Sequence, residues 1–125
     1  MVVETELSDA EVDRIFRALA DATRRDILRR TIEAEQSVSA LAAAYDMSFA
    51  AVQKHVAVLE TARLIVKRAE GRERLVRTDP ATIARAQRLL ERYQDLWRHR
   101  IDRIDAILAE TPPAPDAPTT PDTET

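Results

Sequence analysis

The sequence has no cysteine, one glycine and very few aromatic residues. Its 125 residues include only two histidines, His55 and His99, and aromatic side chains make up 4% of the chain. The lack of cysteine excludes disulfides, thiolate nucleophiles and cysteine-rich zinc sites, and two histidines leave few nitrogen ligands for another metal. We therefore predict no cofactor and no metal site. No apolar run approaches the roughly 20 residues that span a bilayer, so we expect a cytoplasmic protein.

Charged and helix-forming residues are abundant instead. Charged side chains make up 33% of the chain, and the net charge is −3. With so little glycine and so few aromatic residues, this composition predicts a mainly α-helical fold of the α+β type, with a small sheet. The length predicts one domain, 9–110, between a flexible N-terminus, 1–8, and a disordered acidic tail rich in proline and threonine, 111–125.

The charges are distributed unevenly along the chain. Residues 1–21 carry six acidic and two basic side chains, whereas residues 48–78 carry seven basic and three acidic side chains. A basic segment inside an acidic protein is the electrostatic footprint expected of a surface that binds nucleic acid. The alternative is a solvated surface of mixed charge.

The start of the chain predicts two helices. Ser8 and Glu11 have the spacing of a capping box, which predicts a first helix from this point. Asp21 can cap a second helix that runs to about Glu33. The residues predicted to face inward from the second helix are Ile27, Leu28 and Ile32. Its four arginines are predicted to point outward and to pair with Asp21, Asp26 or Glu33.

Residues 37–60 predict two further short helices joined by a tight turn. Ser37 and Ser48 are good N-cap residues, because a serine oxygen accepts a hydrogen bond from the free amides of a first helical turn. Residues 45–47 form the predicted turn, and Asp46 tolerates a left-handed backbone better than most residues. This layout is typical of a helix-turn-helix, which lays its second helix in the DNA major groove.

The second of these helices, Phe49 to about Thr61, has one apolar and one polar side. The predicted buried stripe comprises Val52, Val56 and Leu59. The other side begins with small residues and continues with Gln53 and Lys54. A helix entering a groove needs little bulk at its leading end, and glutamine suits adenine edges as lysine suits guanine or phosphate. His55 borders the buried stripe and is predicted to be a half-buried structural residue or a phosphate contact.

A β-hairpin and a long helix are predicted to complete the domain. Residues 63–69 and 74–78 favour strands, with the only glycine, Gly71, at the tip between them. Arg72 and Arg74 lie beside the tip, where they suit the minor groove or flanking phosphates. A hairpin in this place is a wing; a plain surface hairpin with paired arginine and glutamate is the alternative. The predicted order is therefore four helices, two strands and a fifth helix.

The fifth helix is predicted to run from Pro80 to about Ala109. Its apolar residues recur every three or four positions, and a small winged domain cannot cover a helix of this length. Pairing with a second copy of the chain explains this exposed seam economically. The residues predicted at a dimer interface are Ile15 and Phe16 of the first helix with Leu90, Tyr93, Trp97, Ile101, Ile104 and Leu108 of the last.

Three stretches together resemble the ArsR/SmtB winged helix-turn-helix transcription repressors of bacteria. They are ALADATRRDIL (18–28), SVSALAAAYDMSFAAVQKHVAVLETARLI (37–65) and KRAEGRERLVRTDP (67–80), and the resemblance extends over about 9–109. It implies a homodimer joined through the first and last helices, with the fourth helix in the major groove. Carried over by position, the implied DNA-binding residues are Ser48, Phe49, Ala51, Gln53, Lys54, His55, Arg72 and Arg74.

The chain departs from that family in its potential metal ligands. Many members bind metals through cysteines in the third helix, and residues 38–42 here contain none. Others use histidines and carboxylates of the last helix, where this chain has only His99, with Asp95 and Asp102 nearby. Two copies of His99 in a dimer could share Zn²⁺ with those carboxylates. A lone histidine is more often structural or solvated, so no metal site is predicted.

These patterns favour a sequence-specific DNA-binding regulator, a repressor that acts as a homodimer on a palindromic operator. One alternative is a metal- or small-molecule-responsive repressor with its effector site at the dimer interface. Another is a winged-helix dimer for protein interactions that does not bind DNA. We predict no enzyme, because no nucleophile–base pair, phosphate loop or carboxylate pair stands out.

Overall fold

The computed structural model describes residues 7–110 and contains five helices and a small antiparallel sheet within that range. The mainly α fold predicted from composition is confirmed. Most of the predicted flexible N-terminus, and all of the predicted tail 111–125, lie outside the described residues. The elements are α1 (Asp9–Leu19), α2 (Ala22–Glu33), β1 (Gln36–Ser37), α3 (Val38–Ala43), α4 (Phe49–Thr61), β2 (Ile65–Glu70), β3 (Glu73–Thr78) and α5 (Pro80–Glu110). The chain divides into one compact unit up to Leu89 and another from Leu90.

The helices of the first unit begin at the side-chain caps that the sequence predicts. At α1, the amide of Glu11 donates to Ser8 Oγ (3.1 Å) and the amide of Ser8 donates to Glu11 Oε1 (2.8 Å). This backbone hydrogen bond lowers the pKa of the Glu11 carboxyl. The amides of Ala40 and Ala51 donate to Ser37 Oγ and Ser48 Oγ, at 3.0 and 3.1 Å. The N-terminus of α4 is thereby set by a local contact.

One apolar core holds α1–α4 and the sheet together. The largest fully buried apolar side chains are Ile15, Ile27, Leu41, Val52, Val56, Leu59, Leu64, Ile65 and Val76. The predicted buried stripe of α4 is thus confirmed. The prediction for Ile32 is wrong, because its side chain is 57% exposed. Thr31 is buried in its place, and its hydroxyl donates to the carbonyl of Leu28 (2.9 Å), which satisfies the polar group inside the core.

The sheet has three strands in the order β1-β3-β2, and both pairings are antiparallel. The two-residue strand β1 is not predicted by the sequence, because it is too short to show alternation. β2 and β3 are joined by the two-residue turn of Gly71 and Arg72, with Glu70 opposite Glu73. Gly71 has φ of +63°. A positive φ at the first turn residue is the arrangement of a type II′ hairpin, which favours glycine there.

The chain leaves α4 through a left-handed residue that is not glycine. The amide of Arg63 donates to the carbonyl of Glu60 (2.9 Å), and the amide of Leu64 donates to that of Leu59 (3.1 Å). This pair of bonds is a Schellman motif, with Arg63 at φ of +64° where glycine is usual. The first strand of the wing therefore starts at Ile65, two residues later than predicted, because Arg63 and Leu64 close the helix.

In the second unit, every residue of α5 from Leu90 to Glu110 is exposed. The large apolar side chains exposed there are Leu90, Tyr93, Leu96, Trp97, Ile101, Ile104, Ile107 and Leu108. No helix within residues 7–110 combines the length and apolarity needed to cross a membrane.

Candidate nucleic-acid interface

The side of α4 turned away from the core carries Gln53 and Lys54. Both side chains are exposed, as are Ala50 before them and Ala57 one turn later. Phe49, the first residue of the helix, is 48% exposed. The aromatic ring of Phe49, two alanines and two long polar side chains are thus accessible on α4, and long polar side chains are what reading a groove requires.

Ser48 and His55, two other residues predicted to bind DNA, form hydrogen bonds within the chain. Ser48 Oγ accepts the amide of Ala51, so this serine caps α4. His55 is half-buried, and its Nδ1 lies 3.2 Å from Nη1 of Arg24. Since arginine can only donate, Nδ1 is the acceptor and the proton of a neutral ring is on Nε2. The half-buried placement predicted for His55 is confirmed.

Arg24 joins three elements, a role that the sequence does not indicate. Its Nε donates to the carbonyl of Ala18 (2.8 Å) and its Nη2 to that of Arg17 (3.0 Å), which satisfies the C-terminal end of α1. Together with the contact to His55, these bonds connect α1 and α2 to α4. No sequence signal pairs residues so far apart, although cations near helix C-termini are generally favourable.

A cleft lies between α4 and the hairpin of β2 and β3, the predicted wing. It has a volume of about 330 Å³. Its lining residues are Val38, Ser39, Phe49, Gln53, Val56, Lys67, Arg72, Glu73 and Arg74. The structure therefore brings Phe49 and Gln53 of α4 beside Arg72 and Arg74 of the wing, while Lys54 and His55 do not line the cleft.

The basic residues of 48–78 differ in whether they are already paired. Arg68 donates to both carboxylate oxygens of Glu35, at 2.9 and 3.0 Å, and Lys67 lies 3.4 Å from Glu60. The Glu35 carboxylate raises the pKa of the Arg68 guanidinium, and Arg68 lowers the pKa of Glu35. Within residues 7–110, no ion pair involves Lys54, Arg72 or Arg74. A salt-bridged surface therefore accounts for Arg68 and Lys67, whereas Lys54, Arg72 and Arg74 remain available for phosphate.

A cluster around Asp26 fastens the turn before α4 to α2. The hydroxyl of Tyr45 donates to Asp26 Oδ2 (2.5 Å), Arg30 Nε donates to the same oxygen (2.8 Å) and Arg29 Nη2 donates to Oδ1 (2.7 Å). These hydrogen bonds, that of Tyr45 first, hold the pKa of Asp26 well below its usual range. Burial, followed by the hydrogen bond to Asp26, raises the pKa of Tyr45 to about 12. The arginine pairing with Asp26 was predicted, but the contribution of Tyr45 was not.

The residues predicted at a dimer interface fall into two groups. Ile15 is 1% exposed within its own chain and belongs to the core, so its prediction as an interface residue is wrong. Helical periodicity cannot distinguish a face buried in the core from one buried by a partner. The other seven are exposed: Phe16, Leu90, Tyr93, Trp97, Ile101, Ile104 and Leu108.

The potential metal ligands of α5 are exposed and partly engaged. Asp95 lies 3.3 Å from Arg98 Nη1. Within the described part of a single chain, no group of three or more histidine, aspartate or glutamate side chains is arranged to hold a metal ion.

Comparison with known proteins agrees with this architecture. A helix-turn-helix domain family matches residues 19–68. The chain is 40% identical over 81 residues to the HTH-type transcriptional regulator Rv2034 of Mycobacterium tuberculosis, a match that covers 65% of this chain and 76% of the relative. It also resembles the structure of an ArsR-like transcriptional regulator from Rhodococcus sp. RHA1, with 36% identity and a TM-score of 0.71, covering 78% of this chain and 92% of that one.

A second similar structure was solved by NMR. It is the homodimeric winged helix-turn-helix DNA-binding domain of Mb0332 from Mycobacterium bovis, with 27% identity and a TM-score of 0.57. The match covers 71% of this chain and 88% of that domain. The family resemblance of the three sequence stretches is confirmed by these matches together with the winged helix-turn-helix seen in residues 7–89. The chain belongs to the ArsR family of winged helix-turn-helix transcriptional regulators.

Proposed function

We propose that this regulator is a repressor that binds a palindromic operator as a homodimer, with α4 in the major groove and the wing beside it. The observation that carries the proposal is that Lys54, Arg72 and Arg74, on α4 and the wing, are exposed and form no ion pair within residues 7–110. Cations without an internal partner can displace counterions from the phosphate backbone, and this displacement supplies most of the affinity for DNA. The assignment as a repressor rests on the family resemblance.

We assign base reading to Gln53 and Lys54, two exposed residues of α4. Gln53 is exposed and lines the cleft next to the wing arginines, so its amide is available to pair with an adenine edge. Lys54 is the adjacent residue and suits guanine or phosphate. Phosphate contacts from Arg72 and Arg74 would fix the register of the helix, while these base contacts would carry the specificity.

Dimerisation is supported by the exposed apolar residues of α5. Six of them, Leu90, Tyr93, Trp97, Ile101, Ile104 and Leu108, recur every three or four residues and are all exposed. Monomeric proteins rarely leave a row of apolar side chains of this length in water. The Mb0332 domain is described as homodimeric, which makes the same assembly reasonable for this chain. A two-fold dimer presents two reading helices to half-sites about one helical turn apart, so the operator should be a palindrome.

The proposal is tested by selecting bound duplexes from a random DNA pool with the full chain. We expect an enriched palindrome, and a fluorescence anisotropy titration should then show tight, salt-dependent binding. The double variant Gln53→Ala, Lys54→Ala should lose discrimination between that operator and random DNA, because each base contact is worth about 1–3 kcal/mol.

The matched control changes one cation on α2, which does not line the cleft. Arg29→Ala removes a cation that is already paired with Asp26 and Glu33 on α2, so operator discrimination should remain. Unchanged discrimination in the Gln53, Lys54 variant would contradict the assigned reading side. Retention of no duplex even at low salt would favour a winged-helix dimer that binds only proteins.

A further inference from the structure

Phe49 occupies an unusual place for an aromatic side chain. It is the first residue of α4, half of its surface is exposed, and it is not among the partly buried apolar residues that pack against the core. It lines the cleft beside Gln53, Arg72 and Arg74. Core packing therefore does not account for the ring, which lies where α4 is proposed to meet the DNA.

Among the residues that the structure describes, the Phe49 ring also has no cationic partner. Across residues 7–110, the cation–π contacts are Arg30 over Tyr45 and Arg100 over Trp97. Arg72 and Arg74 line the same cleft without stacking on Phe49. The exposed face of the ring is thus available to an external group.

The chemistry of the major groove limits what that group can be. A phenyl ring neither donates nor accepts a conventional hydrogen bond, so it can contribute only apolar contact. The apolar group on the base edges of the major groove is the 5-methyl of thymine. Ala50, the next residue, is small and exposed and leaves room for the ring to approach the base.

The position of Phe49 relative to Gln53 extends this argument to two bases. Residues four apart lie on the same side of a helix, with Cβ atoms about 5–6 Å apart. Base pairs follow each other about every 3.4 Å, so the two side chains reach bases one or two steps apart. We propose that Phe49 reads the 5-methyl group of a thymine in each half-site, close to an adenine read by Gln53. This inference rests on the proposed function, because it requires α4 to lie in the major groove.

The experiment removes only the methyl group. Each thymine of the duplex selected from the random pool is replaced in turn by deoxyuridine, in both half-sites at once, and affinity is measured by fluorescence anisotropy. At one position we expect the wild-type chain to bind the uracil duplex about 15-fold more weakly than the thymine duplex. This factor is the product of a loss of about 4-fold for the methyl group in each of the two half-sites. Phe49→Ala should bind the thymine and uracil duplexes with equal affinity. Phe49→Leu, an apolar group of shorter reach, should show an intermediate ratio.

Ile32→Ala is the matched control, since Ile32 is an exposed apolar residue of α2 that does not line the cleft. It should keep the full ratio of thymine to uracil affinity. Equal binding of every uracil duplex by the wild-type chain would overturn the inference while leaving DNA binding intact. An undiminished ratio in Phe49→Ala would equally overturn it, because another residue would then read the methyl. Retention of no duplex from the pool would reject the proposed function itself.

Discussion

Substitutions of individual residues around α4 differ in whether they affect the stability of the fold, a candidate DNA contact, or both. Ser48 caps the helix and His55 accepts from Arg24, so alanine at either position removes a stabilising contact as well as a candidate DNA contact. Losing an N-cap alone costs about 1 kcal/mol. Gln53 and Lys54 are exposed, and neither caps a helix nor forms an ion pair within residues 7–110. Their variants therefore test DNA contact without the loss of such a stabilising contact.

The unpaired wing arginines predict a measurable change in salt dependence. Each phosphate contact contributes about 0.9 to the slope of log K against log salt concentration, and a dimer has two copies of every contact. Arg72→Ala or Arg74→Ala should therefore reduce the slope by about 2. The measurement is an anisotropy titration of the selected operator at several salt concentrations.

Arg68→Ala is the control for this prediction, because it removes a cation from the same hairpin that is already bound to Glu35 and Glu70. Its slope should change by less than about 0.5. Equal effects of the Arg68 and Arg72 substitutions would show that ion pairing within the chain does not decide which cations contact DNA.

The left-handed conformation of Arg63 predicts a stabilising substitution. A side chain at φ of +64° is strained, and glycine relieves that strain at the cost of a more flexible unfolded chain. Arg63→Gly should raise the free energy of unfolding by roughly 0.5–1 kcal/mol, measured in urea. Arg63→Ala removes the charge but keeps the Cβ atom, so it should not gain stability. Equal stability of the glycine and alanine variants would contradict a strained backbone here.

At the scale of elements, the cluster around Asp26 determines how firmly the turn before α4 is held. Tyr45 lies in that turn, whereas Asp26, Arg29 and Arg30 lie on α2. The guanidinium of Arg30 also packs over the Tyr45 ring, with its Cζ atom 5.4 Å from the ring centroid. The position of α4 thus depends on the hydrogen bond between Tyr45 and Asp26 as well as on the apolar core.

This cluster predicts a stability difference that depends on pH. The pKa of Tyr45 is raised to about 12 in the folded chain, above the ordinary value of about 10. A raised folded pKa contributes stability that is fully present below about pH 10 and is lost as the pH rises through about 12. Tyr45→Phe should lower the free energy of unfolding by about 1–2 kcal/mol at pH 7, and by less above pH 10. Urea unfolding at both pH values measures the difference.

Tyr93→Phe is the control, since Tyr93 is the other tyrosine of the chain and the substitution removes only its hydroxyl group. It should leave the unfolding free energy within about 0.5 kcal/mol of the wild type. A Tyr45→Phe deficit that stayed constant from pH 7 to above pH 10 would contradict the role of the phenol proton.

The elements that the sequence predicts are those governed by local chemistry. Caps such as Ser8 and Ser48 act within three residues, and the glycine of a two-residue turn is visible without any tertiary information. Contacts between distant residues are not visible in this way: His55 pairs with Arg24, and Glu35 pairs with Arg68 of the wing. Such contacts determine which side chains of the basic segment are already paired, and the sequence alone does not predict them. The DNA-binding roles of the predicted residues stay predictions.

Ile15 and Ile32 show a second limit of sequence reasoning. Both lie at positions where helical periodicity permits burial, yet Ile15 enters the core and Ile32 remains in water. The packed side of α2 passes through Ile27, Leu28 and Thr31, since the hydroxyl of Thr31 finds partners in the Leu28 carbonyl and Thr78. An apolar pattern identifies a candidate face, but the neighbouring elements determine which side of the helix is used.

For the whole molecule, the uncovered apolar residues of α5 are best explained by a second copy of the chain. Residues 90–110 extend over about 30 Å as a helix, and Trp97, Ile101 and Ile104 lie near the middle of its apolar side. Tryptophan at the centre of an interface commonly contributes a large share of the binding energy. A charge placed at these positions would be buried without a partner in a dimer but would be solvated in a monomer.

The double variant Trp97→Asp, Ile101→Asp should therefore be monomeric at concentrations where the wild-type chain is dimeric. Sedimentation equilibrium of both proteins measures the mass directly, and far-ultraviolet circular dichroism shows whether the variant keeps the helix content of the wild type. Ile32→Asp is the matched control, because it adds a charge at an equally exposed isoleucine of α2 and should leave the dimer intact. Since each subunit contributes one reading helix, loss of the dimer should weaken operator binding by about 100-fold or more, even though the reading residues are unchanged. A wild-type chain that sediments as a monomer, or a double variant that remains dimeric, would contradict assembly through α5.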